Sequence, residues 1–371
     1  MSPVWPKYEE GSLALISSVA AYFGAPTGHR TLSCLDRLLE TGKYRNVIML
    51  LYDGMAIATL KQHLPENSFL RTHVLRTISA SYPSTTTAAT TTLETGLSPA
   101  EHAWLGWSVY FPEIDEQVEL FTNRNALTME KASVENAGSV YMPYMSIFEK
   151  INTAGQARAA MLSPFSDPPY RGPDEILPAL IKACQEPGRH YFYSYFGDPD
   201  HTMHLEGVTS PEVTRIMREI DEKTAAFAAA LPADTLLLVT ADHGLVDAEH
   251  LYIEDHPALQ EAFLRPHAVE SRAAAMYVKE EYRERFPQLF EEAFPGRFLL
   301  MTGEEAIESG LFGPGDKHPR LAVNAGDYMA LSLDNACLQW KRKDNPLKGV
   351  HAGMTADEML VPLIVYGAGL P

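Results

Sequence analysis

The feature that most constrains the fold is a set of short apolar runs that do not alternate with polar residues. The runs are 46–52, 74–80, 191–196, 235–240, 273–278, 328–333 and 360–366. Successive side chains of a strand point to opposite faces, so these runs predict strands buried on both faces. Helical patterns lie between them, notably 174–184 and 211–231. The alternation predicts an α/β fold, with helices on both faces of a mostly parallel central sheet.

Two stretches fit this alternation less well. Residues 108–122 are acidic, aromatic and interrupted, which favours a loop excursion from the sheet. Residues 254–319 contain their own helical pattern at 280–294 together with strand patterns. We therefore expect an inserted α+β, cap-like subdomain at 254–319, and an α/β core formed by residues 1–253 and 320–371.

Charge and cysteine content exclude several classes of function. The formal net charge of −18 repels phosphate backbones, and because no basic stripe offsets it, binding to nucleic-acid polymers is not expected. No run reaches the roughly 18 apolar residues of a membrane span, so no membrane association is expected. Acidic residues precede the apolar run 12–23, which predicts a surface helix with one apolar face rather than a targeting signal. Cys34, Cys184 and Cys337 are widely spaced, which favours buried thiols in a reducing cytoplasm.

Ligand-type residues follow two of the predicted strands directly. Asp53 comes after 46–52 and begins an Asp-Gly pair, which on its own is more typical of a turn. Asp242 and His243 come just after 235–240, and two adjacent ligand-type residues at a strand end are harder to explain as a turn. Because ligands of open α/β sheets collect at the carboxyl ends of the strands, the three side chains are candidates for one site.

A second group follows the run 191–196. Asp200 and His204 are spaced i, i+4, so on a helical turn both would point the same way, as ligands of a divalent metal such as zinc do. A solvated polar turn is the alternative. His351 lies in a loop before the last apolar run and would ordinarily be solvent-exposed. It becomes a candidate because the other residues leave one metal short of a third ligand.

A threonine-rich segment is the third candidate element. Ser84 and Thr85 could cap a helix that starts near Thr86 and ends before Gly96, although six threonines within 85–92 favour a helix poorly. A helix N-terminus offers free N–H groups to a phosphate. A threonine hydroxyl there could be a nucleophile if a metal lowers its pKa. A purely structural capping box is the alternative.

These residues, in this order, resemble a known family. Asp53, the helix that ends in Thr95-Gly96-Leu97, Asp200-x-x-x-His204, Asp242-His243 and His351 resemble the motifs of the alkaline phosphatase superfamily, in its nucleotide pyrophosphatase/phosphodiesterase branch. The resemblance covers residues 46 to 366. It implies an alkaline-phosphatase-like core and a two-metal hydrolase that cleaves phosphate diester or pyrophosphate bonds through a covalent phosphothreonine.

The resemblance also implies a role for each matched residue. Thr86 is the implied nucleophile, because it stands nine residues before Thr95. The first implied metal takes Asp200, His204 and His351, and the second takes Asp53, Asp242, His243 and the Thr86 oxygen. Two divalent ions would balance three carboxylates and a threonine alkoxide. Three His and three Asp favour zinc, with manganese or iron as alternatives.

The sequence departs from the branch at one position that bears on the substrate. Trp107 stands where the diesterase branch has an Asn that holds a phosphoryl oxygen. Trp104, Trp107 and Tyr110 are therefore either walls of the substrate pocket or part of the core. No Lys or Arg occurs from 77 to 121, so we expect a small phosphodiester or nucleotide-like substrate to be preferred over a dianionic monoester. A distant Arg320 or Arg342 could still supply a positive charge.

Other functions stay open at this point. Phosphomonoesterase and phosphonate hydrolase activities are alternatives, because the same implied metal site serves them. A phosphomutase would carry a larger insert than 254–319. A metal-stabilised binding protein without turnover is the non-enzymatic alternative, but it would more often have lost the nucleophile. The sequence carries no prediction of the oligomeric state.

Overall fold

The computed structural model describes residues 3–367, and all strands and helices named below lie within that range. Its strands are β1 (Asn46–Tyr52), β2 (Val74–Ser79), β3 (Ser108–Phe111), β4 (Glu116–Glu119), β5 (Arg124–Asn125), β6 (Arg158–Met161), β7 (His190–Phe196), β8 (Thr235–Thr240), β9 (Val246–Asp247), β10 (Glu249–Tyr252), β11 (Ala268–Val269), β12 (Ala273–Met276), β13 (Phe298–Thr302), β14 (Tyr328–Ser332), β15 (Ala336–Gln339), β16 (Gly349–Val350) and β17 (Leu360–Gly367).

The α-helices connect these strands and pack on them. They are α1 (Ser12–Tyr22), α2 (Ser33–Gly42), α3 (Ile57–His63), α4 (Phe69–Thr72), α5 (Thr86–Thr95), α6 (Pro99–His102), α7 (Ala137–Tyr141), α8 (Ile147–Ala154), α9 (Pro173–Ala183), α10 (Asp200–Glu206), α11 (Pro211–Ala230), α12 (Pro257–Ala262), α13 (Phe286–Ala293), α14 (Gly303–Glu308), α15 (Leu321–Ala325) and α16 (Ala356–Met359). Short 3₁₀ turns cover Tyr8–Glu10, Ile253–Asp255 and Glu280–Tyr282.

The central sheet has six strands in the order β2-β17-β8-β1-β7-β6. The pairs β8/β1, β1/β7 and β7/β6 are parallel, whereas β17 pairs antiparallel with both β8 and β2. Every residue of β1 and β8 is buried, which requires a covering layer on each face of the sheet. This confirms the predicted α/β class with a mostly parallel central sheet.

A second, seven-stranded sheet lies beside the first, in the order β13-β14-β12-β11-β3-β4-β5. All of its strand pairs are antiparallel. Its strands come from inside the segment 254–319 and also from 108–125 and 328–332, so the sheet crosses the predicted boundaries of the inserted subdomain. Those boundaries stay a prediction.

Two local predictions were wrong. Residues 108–122 are not a loop excursion, because β3 and β4 form an antiparallel hairpin in the second sheet. Val109, Phe111 and Val118 are fully buried, but strands of four residues are too short for this alternation to stand out in the sequence. Helix α1 is not a surface helix with one apolar face, since every residue from Ser12 to Ala20 is buried. No helix among residues 3–367 is both long and apolar enough to cross a membrane.

Candidate active site

Three neighbouring parallel strands bring the predicted ligands to one edge of the central sheet. Asp53 directly follows β1, Asp242 and His243 lie just beyond β8, and α10 begins with Asp200 four residues after β7. Backbone hydrogen bonds tie the first and last of these together. The Asp53 N–H donates to Phe196 O at 2.9 Å, and the Asp200 N–H donates to Asp53 O at 3.0 Å. Parallel pairing of these strands is therefore what makes residues far apart in sequence neighbours.

The first cluster consists of Asp53, Asp242 and His243, whose ligand atoms lie within 4.8 Å of one another. Asp242 Oδ1 accepts hydrogen bonds from the backbone N–H groups of Gly54 (3.1 Å) and His243 (3.0 Å). The Tyr195 hydroxyl donates to Asp53 Oδ2. One oxygen of each carboxylate is thus held by the protein, while Asp53 Oδ1 and Asp242 Oδ2 are buried and accept no hydrogen bond.

The second cluster consists of Asp200, His204 and His351, again within 4.8 Å. His204 Nδ1 lies 2.7 Å from the carbonyl of Gly349, which leaves Nε2 facing Asp200 Oδ2 at 3.2 Å. His351 Nε2 lies 4.0 Å from Asp200 Oδ1, a buried atom that accepts no hydrogen bond. The His204 and His351 ring centroids are 5.2 Å apart. A carbonyl that holds one ring nitrogen and so aims the other is the usual support of a metal-binding histidine.

Electrostatics at both clusters fit divalent cations. Burial raises the pKa of Asp53 well above its usual value, and the nearby charges of Asp200 and Asp242 raise it further. Burial also lowers the pKa of His351, with the neighbouring His243 and His204 acting in the same direction. The three buried carboxylates would repel one another without a cation between them. The orphaned carboxylate oxygens and this donor chemistry therefore fit one divalent ion in each cluster.

The three adjacent threonines at the start of α5 have different environments. The Thr86 hydroxyl lies 3.3 Å from Asp53 Oδ2 and 3.2 Å from His243 Nε2, which joins it to the first cluster. The Thr85 hydroxyl donates instead to Glu270 Oε1 at 2.7 Å. The Thr87 hydroxyl is buried without a partner. The predicted helix bounds are confirmed, but the predicted side-chain cap is absent because Thr85 turns to Glu270.

A cavity of about 1200 Å³ opens over both clusters. Of the three predicted wall residues, the structure brings only Trp107 to it, where the half-exposed indole packs edge-on against Phe121. Trp104 is buried in the core instead, and its indole N–H donates to Met142 O at 3.0 Å. Tyr110 lies under the Arg265 guanidinium, 3.6 Å from the ring centroid, away from the cavity.

Several charged residues that the sequence did not single out line the cavity: Glu94, Glu119, Glu270 and Lys343. Glu270 accepts a hydrogen bond from the backbone N–H of Trp107 (2.8 Å) in addition to that from the Thr85 hydroxyl, and burial raises the pKa of Glu270. It follows Val269, which has the left-handed φ of +71° that β-branched residues rarely adopt. A Cβ at position 106 would lie 2.7 Å from Val269 O, so Gly106 permits this close approach. An isolated acidic residue in a loop gave no sequence signal for this role.

The two arginines considered as distant sources of charge do not reach the cavity. Arg320 forms a bidentate pair with Glu113, with both N···O distances at 2.7 Å. Arg342 pairs with Glu254 and Asp255 on the surface. Among the described residues, Lys343 is the one Lys or Arg side chain that lines the cavity.

Comparisons with known proteins bear on the family and on the fold. The family model described as type I phosphodiesterase/nucleotide pyrophosphatase matches residues 47–297. Solved structures of murine ectonucleotide pyrophosphatase/phosphodiesterase 5 are similar: one has a TM-score of 0.69 at 19% identity over 86% of this chain and 88% of that chain. An inactive variant of that murine protein in complex with AMP has a TM-score of 0.68 at 19% identity, covering 87% of this chain and 88% of that one. The human counterpart has a TM-score of 0.68 at 17% identity, covering 86% and 87%. None of the curated proteins matches the sequence significantly.

Proposed function

Since the chain belongs to the type I phosphodiesterase/nucleotide pyrophosphatase family and is a hydrolase of phosphoric ester bonds, we propose that it cleaves phosphate diesters through a phosphothreonine at Thr86. The observation that carries the proposal is the position of the Thr86 hydroxyl. Of the threonines at positions 85 to 87, it is the one that contacts ligands of the first cluster. The proposal therefore depends on Thr86 and not on the threonine-rich segment as a whole.

The chain's own groups are arranged for an in-line displacement. Thr86 is the first residue of α5, where the backbone N–H groups of the first turn have no partner within the helix and face an incoming phosphoryl oxygen. In the first step Thr86 Oγ loses its proton and bonds to phosphorus, the bond from phosphorus to the leaving oxygen breaks, and that oxygen gains a proton to leave as the alcohol, while the second ester group stays on phosphorus. In the second, water attacks the phosphothreonine, the bond from phosphorus to Thr86 Oγ breaks, and the hydroxyl is restored.

The metal ligands are proposed on the same geometry. Asp200, His204 and His351 would hold one divalent ion, and Asp53, Asp242, His243 and the Thr86 oxygen the other. When bound, such ions lower the pKa of the nucleophile and balance charge on the phosphoryl group. Zinc suits this mixture of His and Asp, and manganese or iron could use the same donors. Tyr195 would hold Asp53 in place by donating to its Oδ2.

Charge around the cavity favours a monoanionic diester over a dianionic monoester. Apart from the proposed metal ligands, the cavity is lined by three carboxylates, those of Glu94, Glu119 and Glu270. Among the described residues, Lys343 is the one Lys or Arg that lines it. Trp107 and Phe121 offer an aromatic surface to the second ester group. The complex of the inactive murine relative with AMP supports a small nucleotide-type substrate. Location in the cytoplasm stays a prediction that rests on the scattered, unpaired thiols.

A rate comparison tests the proposal. We expect kcat/KM to be higher for bis-p-nitrophenyl phosphate and a nucleotide p-nitrophenyl ester than for p-nitrophenyl phosphate or phosphonoacetate. A higher kcat/KM for p-nitrophenyl phosphate would favour the monoesterase alternative. Phosphonoacetate as the best substrate would favour the phosphonate hydrolase. Mass spectrometry of a covalent phosphoryl adduct on Thr86, which keeps the second ester group when the substrate is a diester, separates all of these from a binding protein without turnover.

A further inference from the structure

Helix α5 carries one feature that the proposed hydrolysis does not use. Thr86, Thr90 and Glu94 are spaced four residues apart, and all three line the cavity. A helix rises 1.5 Å per residue, so Glu94 lies roughly 12 Å along the axis from Thr86. The cavity thus continues from the proposed nucleophile along this helix to a single carboxylate.

Glu94 has no hydrogen-bond or ion-pair partner among the described residues. Lys150 contacts the residue that follows Glu94, because its ammonium donates to the backbone carbonyl of Thr95 at 2.7 Å. The titratable groups that sense the Glu94 charge are the hydroxyls of Tyr144, Tyr191 and Tyr193. The Tyr193 hydroxyl is itself fully buried and has no partner.

An unpaired carboxylate in such surroundings is energetically unfavourable. Burial raises the pKa of Glu94 to about 7, and no positive charge of the protein lowers it. The Glu94 side chain is partly exposed, to the cavity that it lines, and a carboxylate partly removed from water is stabilised by a cation or a hydrogen-bond donor. An ionised carboxylate can only accept hydrogen bonds. The partner that would stabilise Glu94 is therefore a cation or a strong hydrogen-bond donor that enters from the cavity.

We propose that Glu94 forms a subsite for a positively charged group of the substrate, an ammonium or guanidinium roughly 10 Å from the phosphorus. Met161, Pro164 and Phe165 line the same cavity and would accommodate an apolar spacer between the two charges. The inference rests on the proposed function and deepens it, since it defines the class of substrate as a phosphodiester with a distant cation. Glu94 binds substrate in this scheme and takes no part in the displacement.

Matched probes test the subsite. The probes are p-nitrophenyl 6-aminohexyl phosphate and p-nitrophenyl hexyl phosphate, which differ in the terminal ammonium, and the short-spacer p-nitrophenyl 2-aminoethyl phosphate. We expect the wild type to prefer the aminohexyl ester over the hexyl ester by about tenfold in kcat/KM, the value of one charge-assisted hydrogen bond. Glu94→Gln, which keeps the volume, should remove that preference.

Glu119→Gln is the matched control, because it removes a carboxylate from the same cavity without touching α5. A general effect of cavity charge would reduce the preference equally in both variants, and that result would overturn the subsite. So would an unchanged preference in Glu94→Gln, or an equal preference for the aminoethyl ester, whose ammonium cannot reach Glu94 from Thr86.

Binding measured without turnover keeps the two proposals apart. Calorimetry of the aminohexyl and hexyl esters with the Thr86→Ala variant reports the charge preference even if no diester is hydrolysed. Tighter binding of the aminohexyl ester, lost in the Thr86→Ala/Glu94→Gln double variant, supports the subsite whatever the rates show. Equal affinities of the two esters for Thr86→Ala would refute the subsite while leaving the hydrolysis of diesters intact.

Discussion

Three adjacent threonine hydroxyls show how surroundings give one residue a chemical role that its neighbours lack. Thr85 donates to a carboxylate, Thr87 is buried without a partner, and Thr86 lies within 3.3 Å of both Asp53 and His243. The side chains are identical, so their chemistry depends on where the first turn of α5 directs each one. A nucleophile needs a group that activates its hydroxyl, and Thr86 contacts the two residues that would hold such a group, a divalent metal.

Replacement of Thr86 by Ala should abolish turnover and leave the fold intact. The methyl side chain keeps the helix but removes the oxygen that attacks phosphorus. We expect kcat to fall by about a thousandfold or more, equivalent to roughly 4 kcal/mol of transition-state stabilisation. Steady-state rates with bis-p-nitrophenyl phosphate and the melting temperature measure the two effects.

Thr85→Ala and Thr87→Ala are the matched controls for this change. Each removes one hydroxyl from the same turn, so each should retain far more activity than Thr86→Ala. If Thr86→Ala kept more than about a tenth of kcat while either control was inactive, the nucleophile would be the neighbour.

The raised pKa of Glu94 leads to a separate prediction, about how the free energy of unfolding depends on pH. Its pKa is raised to about 7 in the folded protein from 4.5, so the folded state binds the proton more tightly than the unfolded state. The resulting stabilisation is present below pH 4.5 and is lost as the pH rises towards 7. Its titratable neighbours are tyrosines with raised pKa values, which stay neutral in this range.

Urea unfolding of the wild type and Glu94→Gln at pH 5 and pH 8 measures this effect. Gln cannot ionise, so the variant should gain roughly 2 kcal/mol relative to the wild type between the two pH values. Parallel stability curves would show that the pKa of Glu94 is not raised in the folded protein, as expected if the carboxylate is solvated or paired.

At the scale of elements, the loop that carries His351 depends on a buried ion pair. The fully buried Arg272 forms two 2.7 Å hydrogen bonds with Glu358, which lies in helix α16 just after that loop. Glu358 also accepts from the backbone N–H of Gly353 at 2.7 Å. A Cβ at position 353 would lie 2.4 Å from Arg272 Nη2, so the loop packs directly on the guanidinium. The pair joins the residue that precedes β12 of the second sheet to helix α16, which follows the His351 loop.

Glu358→Gln should therefore weaken both the fold and the site. It leaves the Arg272 charge buried without its partner, which costs roughly 3 to 5 kcal/mol in comparable cases. We expect a lower free energy of unfolding and weaker binding of the metal assigned to His351. Asp234→Asn, which removes the partner of the more exposed Arg45, should cost less. A smaller loss for Glu358→Gln than for Asp234→Asn would mean that the buried pair does not hold the loop.

At the scale of the whole molecule, the sequence predicted what depends on long buried strands and missed what depends on packing between distant segments. Strands β1 and β8 are mostly apolar and buried along their whole length, so they and the Asp and His residues that follow them were evident. Trp104 and Trp107 are three residues apart, yet one lies in the core and the other lines the cavity. Their difference depends on how the chain packs near Gly106 against Val269, a contact between segments more than 160 residues apart.

The same limit applies to the acidic residues of the cavity. Glu270 reaches the start of α5 because β11 pairs with β3, and no local pattern reports such a pairing. In the sequence Glu94 is an ordinary helical glutamate, and only the structure shows that it lines the cavity. The second sheet could not be predicted for a related reason, since its strands come from three separate parts of the chain.

The last prediction concerns the metals and the charge of the molecule together. The chain has 48 acidic against 30 basic Lys and Arg residues, and the site concentrates Asp53, Asp200 and Asp242 in a buried space. Ions that bind only the folded state stabilise it by roughly 3 kcal/mol each at a hundredfold excess over Kd. Removing them also restores the repulsion between the carboxylates. Chelation should therefore abolish activity and lower the melting temperature by on the order of 5 °C or more.

Elemental analysis of the purified protein should give close to two divalent ions per chain, and the ligand variants show which residues hold them. Asp200→Ala or His351→Ala should reduce the content towards one ion, because each leaves the cluster of Asp53, Asp242 and His243 complete. His201→Ala is the matched control, since His201 lines the cavity but belongs to neither cluster. Wild-type metal content in both ligand variants would remove Asp200 and His351 from the site, and the i, i+4 pair on α10 would then be a solvated polar turn.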